Sequence, residues 1–173
     1  MKYIERVANL AIIVAVVVFL VVVVRGDLLR RSSSGPAATR ALIGSTVRLP
    51  GVQFPAQRDS LLLGISATCH FCKASLPFYK QLAAQLQGKV DVIAVLPQTQ
   101  AEGESFIKDA GLNGVRVVSA KLGTIGVYGT PTVLLVDNNG KVKSAWVGQL
   151  DNARQQQLIG AVLPKGATAV PRS

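Results

Sequence analysis

Cysteine and histidine are almost absent from this chain of 173 residues. It holds two cysteines, Cys69 and Cys72, and one histidine, His70. Two cysteines cannot make the disulfide framework of a small secreted scaffold. Cys69, His70 and Cys72 are one ligand short of a tetrahedral zinc shell, and adjacent residues rarely aim at one ion, so a metal site is the weaker reading and none is expected. No cofactor is expected either. Aromatic residues are scarce, at 5%, and no basic run carries interleaved aromatics. The net charge of +10 is therefore not a nucleic-acid footprint; it reads as a solvated cationic surface able to rest against anionic lipid. Internal repeats are lacking too.

What the chain has in excess is hydrophobicity at its N-terminus. After a short flank, residues 1–6, positions 7–24 are apolar throughout except for Asn9. At a rise of about 1.5 Å per residue this stretch spans roughly 27 Å, close to a bilayer core. It exceeds the h-region of a signal peptide and runs into Arg25 without a small-residue cleavage site. An uncleaved signal-anchor is expected, with a cleaved signal peptide as the rival. The flanking charges, Lys2 and Arg6 against Arg25, Arg30 and Arg31, slightly favour a cytoplasmic domain. A tethered domain holding a close pair of cysteines argues for the other face, where disulfides form. The extracytoplasmic, periplasmic side of the inner (plasma) membrane is expected.

Residues 25–40, rich in Arg, Ser, Gly and Pro, read as a flexible tether. A domain is expected over 41–163, with a polar tail at 164–173. Residues 46–49 and 52–54, split by Pro50-Gly51, predict a short hairpin. An apolar strand follows at 61–66, a helix at 73–87 interrupted by Pro77, a strand at 90–96, a helix at 101–110 and a strand at 115–118. After a Gly-rich connection, strands at 132–136 and 141–147 flank Asp137-Asn138-Asn139-Gly140, a strong hairpin-turn signal. Asp151 is placed to N-cap a last helix to about Val162. This order predicts an α/β fold with a mixed central sheet: the first three main strands parallel, the hairpin adding antiparallel ones.

Cys69-His70-Phe71-Cys72 stands at the junction of the first strand and the first long helix, which points to thiol–disulfide exchange. The nucleophile in that reaction is a thiolate. Cys69, where the helix begins, faces unpaired N–H groups and the positive end of the dipole, and so is the expected nucleophile. Cys72, one turn deeper, is the expected resolving thiol. The pair would form the redox-active disulfide. His70 is either a solvated bystander or a cation tuning the Cys69 thiolate. Phe71 and Tyr128 either rim the site or pack, and Trp146 is expected in the core.

With Thr130-Pro131-Thr132 leading a later strand and Pro77 five residues past Cys72, the order resembles the thioredoxin fold over about residues 43–163. With the N-terminal anchor, it is similar to the membrane-tethered TlpA/ResA-like thiol–disulfide oxidoreductases. The resemblance implies a cis Pro131 facing the cysteines, with Thr130 backbone groups free to pair with an extended substrate segment. It implies protein thiol or disulfide substrates, a membrane electron donor and the reducing direction. A disulfide-forming oxidase and a non-catalytic adaptor or chaperone are the alternatives. Two departures stand out: Thr68 where the family often has Trp, and Leu63 where thioredoxin has a buried acid.

Overall fold

The structure, a computed structural model, describes residues 15–19 and 36–163. Of the apolar segment 7–24, residues 15–19 are helical; its remainder, most of the tether and the tail lie outside the described residues. Among the described residues no helix is long and apolar enough to cross a membrane.

The domain begins with a short helix, α1 (Pro36–Leu42), so helical structure starts inside the stretch read as tether. Proline at a first helical position loses no hydrogen bond and has its φ already set, and the residues behind it include two alanines. The predicted hairpin at 46–54 does not form; Thr46 makes only an isolated bridge to Lys141. The reason lies in where its backbone groups and side chains go. Gly44 and Val47 donate to Val142 and Gly140, and Ser45 accepts from Val142, each at 2.8 Å. Val47 and Leu49 are buried. The segment lies along the sheet's edge instead of pairing with itself.

Five strands follow in the sheet order β3-β2-β1-β4-β5. They are β1 (Ser60–Gly64), β2 (Asp91–Leu96), β3 (Arg116–Ser119), β4 (Thr132–Val136) and β5 (Val142–Val147). β1 pairs parallel with β2, and β2 parallel with β3. β4 is antiparallel to β1, and β5 to β4. The mixed sheet expected from the sequence is therefore present. Side chains alternate across a strand, so the unbroken Leu61-Leu62-Leu63 run serves two cores. Leu61 and Leu63 join one, Leu62 the other.

The first core is covered by α2 (His70–Leu86), α3 (Gln100–Asp109) and α4 (Asn152–Val162). In α2 the buried residues Cys72, Ser75, Tyr79, Leu82, Ala83 and Leu86 follow a helical period. Thr99 and Glu102 form a capping box for α3, and Asp151 caps α4 by accepting from the Arg154 N–H at 2.9 Å. The second core lies under α1, residues 47–54 and a 3-10 turn (Leu122–Ile125) within the Gly-rich connection. The β4–β5 turn relies on two features. The Asp137 carboxylate accepts from the N–H groups of Asn139 and Lys141, both at 2.9 Å, and Gly140 takes φ +74°. A Cβ at Gly140 would meet the Val47 carbonyl at 2.4 Å, so this glycine also allows the edge segment to lie close.

Candidate active site

The pairing of Gly64 with Thr132 puts the end of β1 beside the start of β4. The loop after Gly64 carries Cys69, and the loop before Thr132 carries Thr130 and Pro131. The sheet thus brings together two segments about sixty residues apart in sequence. The Thr130–Pro131 peptide is cis, as expected, and Pro131 is buried.

Cys69 is the N-cap of α2. Its sulfur accepts from the Cys72 N–H at 3.2 Å, the role an oxygen plays in Ser or Asp caps, and its thiol donates to the Thr130 carbonyl at 3.5 Å. Both cysteines are free thiols; Cys69 is half-buried and Cys72 has 0% exposure. Burial pushes the Cys69 thiol up. Hydrogen bonds from the Cys72 side chain, from Thr130 and from the N–H groups of Cys72 and Phe71 outweigh it and leave its pKa below the ordinary 9.0. A helix N-terminus favours an anion by about 0.3–1 kcal/mol, in the same direction. Cys72 goes the other way. Burial first, then the hydrogen bond with Cys69 and its charge, push that thiol up to about 12. Such a pair can hold a thiolate at Cys69 and a proton at Cys72.

His70 and Phe71 are exposed on the first turn of α2, their rings edge-on at 5.6 Å. Phe71 is 57% exposed and Tyr128 93%, so neither packs in the core, while Trp146 does. Leu63 is buried where a carboxylate was noted as missing.

One residue escaped the sequence reading as part of the site. Gln98, just past β2, ties down the loop before Cys69: its amide N–H donates to the Ser66 hydroxyl at 3.1 Å and its oxygen accepts from Ala67 N–H at 3.4 Å. Ser66 in turn contacts the Thr68 hydroxyl at 3.1 Å, and its carbonyl accepts from the Cys69 N–H at 3.2 Å. The one available signal was position, since polar residues just past the carboxyl ends of parallel strands tend to line sites. Tyr79 lies on the same buried face of α2 as Cys72. It is 1% exposed, and its hydroxyl has no hydrogen-bond partner among the described residues. Among the described residues no cluster of three or more potential metal ligands occurs.

No protein-family model matches the chain. It is 36% identical over 96 residues to the methylamine utilization protein MauD of Methylophilus methylotrophus, a match covering 54% of this chain and 44% of that protein. The chain thus matches less than half the length of that relative. Among solved structures it resembles a thiol:disulfide interchange protein from Bacteroides sp., with a TM-score of 0.53 and 14% identity, over 73% of this chain and 95% of the other. It also resembles a thiol-disulfide isomerase from Corynebacterium glutamicum, with a TM-score of 0.52 and 18% identity, over 70% of this chain and 92% of the other. At these identities the likeness establishes the fold, which is thioredoxin-like.

Proposed function

We propose that this chain of thioredoxin-like fold is a thiol–disulfide oxidoreductase that acts on protein disulfides outside the cytoplasm, in the reducing direction. The Cys69 thiolate attacks a substrate disulfide, a mixed disulfide forms, and Cys72 then attacks Cys69 to release the reduced substrate. The observation that carries this reading is the asymmetry of the two thiols. Cys69 is reachable and held below its ordinary pKa, while Cys72 is buried and protonated one helical turn away. A structural disulfide needs no such difference. His70 and Phe71, exposed beside the nucleophile, and Thr130 with cis Pro131 form the surface that meets substrate. An extended segment pairs with the Thr130 backbone.

Residues 7–24 anchor the domain in the inner membrane, the stretch ahead of α1 tethers it, and a membrane electron donor returns the pair to its dithiol form. The length and apolarity of the first segment support this. The test is a Cys72→Ser variant of the full chain, which should accumulate mixed disulfides with substrate proteins through Cys69. Capture should disappear when Cys69 is also replaced. An adaptor would instead keep its partners and its phenotype with both cysteines replaced, and that outcome would overturn the reading.

A further inference from the structure

The segment that delivers Cys69 to the cap of α2, residues 65–68, belongs to neither β1 nor α2. Among the described residues one side chain from elsewhere in the chain bonds to it. Gln98 is half-buried, and its own carbonyl is fixed by the Ser119 hydroxyl at 2.6 Å. Its amide reaches the segment twice. The oxygen accepts from the Ala67 N–H at 3.4 Å, and the amide N–H donates to the Ser66 hydroxyl at 3.1 Å. The Ser66 oxygen also accepts from the Thr68 N–H at 3.4 Å. A hydroxyl has two lone pairs and one proton. Both lone pairs are taken, so the Ser66 proton goes to the remaining contact, the Thr68 hydroxyl at 3.1 Å. Ser66 is 8% exposed, so these bonds are not readily replaced by water. The last link runs to the nucleophile, whose N–H donates to the Ser66 carbonyl at 3.2 Å. An aliphatic side chain at position 98 would fill the same space and leave the Ala67 N–H without its partner.

We propose that Gln98 is a positioning residue for the nucleophile: its amide, acting through Ala67 and Ser66, fixes the segment so that the Cys69 sulfur meets the Cys72 N–H and the Thr130 carbonyl. The role rests on the exchange reading above. Those two contacts, at 3.2 and 3.5 Å, depend on the course the segment takes into α2. Without the Gln98 amide, residues 65–68 gain freedom, the Cys69 N–H loses its fixed acceptor, and the sulfur spends time away from the helix end. The thiolate is then less favoured, because the bonds that hold the Cys69 pKa down come from these same neighbours. Gln98 carries no charge and exchanges no proton, so its effect passes through geometry alone. Each pH unit by which the Cys69 inflection rises cuts the thiolate about tenfold at lower pH. A Brønsted slope of about 0.5 returns about threefold, which leaves the rate near pH 7 about threefold lower.

The experiment labels the full chain, in detergent and reduced, with iodoacetamide across the pH range, quantifies Cys69 by mass spectrometry and measures the denaturation midpoint in parallel. Gln98→Leu should move the Cys69 inflection up towards 9.0 and slow labelling near pH 7 about threefold for each unit moved. A lower midpoint with an unmoved inflection is what a merely structural residue gives, and it would overturn the proposal. Ser66→Ala removes the acceptor of the Gln98 N–H and should raise the inflection too. The double variant should shift it by less than the sum of the two, because both act on one segment. Fully additive shifts would count against the proposal. Should Gln98→Leu fail to fold, Gln98→Asn keeps an amide that is one methylene too short to hold both partners. The inflection should rise again, and no rise would sink the idea. If the unaltered chain shows its inflection at 9 or above, the exchange reading itself has failed, and this role with it.

Discussion

Alkylation of the two thiols as a function of pH probes the site's electrostatics most sharply. At pH 7 a thiol with the ordinary pKa of 9.0 is about 1% thiolate, and Cys69 lies above that fraction because its pKa is lowered. With its pKa at about 12, Cys72 is about 0.001% thiolate, at least roughly 1,000-fold less. The more basic thiolate is the better nucleophile, with a Brønsted slope of about 0.5, which returns roughly 30-fold over three pKa units. Cys69 should therefore react at least about 30-fold faster from ionisation alone, and the complete burial of Cys72 widens the gap. The assay is iodoacetamide labelling of the reduced full chain from pH 5 to pH 10, with each site quantified by mass spectrometry. The Cys69 rate should level off with an inflection below 9, whereas the Cys72 rate should still be climbing at pH 10. Cys72→Ala removes a hydrogen bond that lowers the Cys69 pKa, so the Cys69 inflection should move up. Equal labelling, prior labelling of Cys72, or a Cys69 inflection at 9 or above would refute the reasoning.

Three further outcomes follow from the same structure. Gly140→Ala combines a left-handed φ with a Cβ placed 2.4 Å from the Val47 carbonyl; it should destabilise the domain by about 2–4 kcal/mol, read from denaturant midpoints. Asp151→Ala removes the carboxylate that accepts from the Arg154 N–H and should cost about 1 kcal/mol, with Asp151→Asn largely preserving stability. The folded pKa of Cys72, about 12, lies above the ordinary 9.0, so the unfolded chain gives up that proton first as pH rises. Its contribution to the reduced protein's stability is complete below pH 9 and is lost as pH climbs towards 12, with a slope of at most about 1.4 kcal/mol per pH unit for the one proton. Cys72→Ala should flatten that alkaline decline in urea titrations.

Most of the architecture was legible because local signals agreed with one another. The apolar run at β1, the Asp151 cap and the Asp137–Gly140 turn each specify an element without long-range help. The cysteine pair and the Thr130-Pro131 step were legible as motifs. Residues 46–54 were not, because alternating apolar residues flanking Pro-Gly fit a hairpin as well as an edge segment. Only the tertiary contact with Gly140 and Val142 decides between them. The role of Gln98 was hidden for a similar reason, since its hydrogen bonds join loops about thirty residues apart. That the Tyr79 hydroxyl has no partner is a fact of packing that no local pattern carries.

The reduction potential of the Cys69–Cys72 pair, measured on the full chain in glutathione or dithiothreitol buffers, tests the central claim most directly. For scale, thioredoxin lies at about −270 mV and a strong oxidant at about −120 mV, a span of roughly 7 kcal/mol for two electrons. A reversible two-electron transition at the low end is the predicted result. A value at the high end would contradict the reducing direction and make His70 the first residue to replace, and a pair that does not cycle would contradict the oxidoreductase itself.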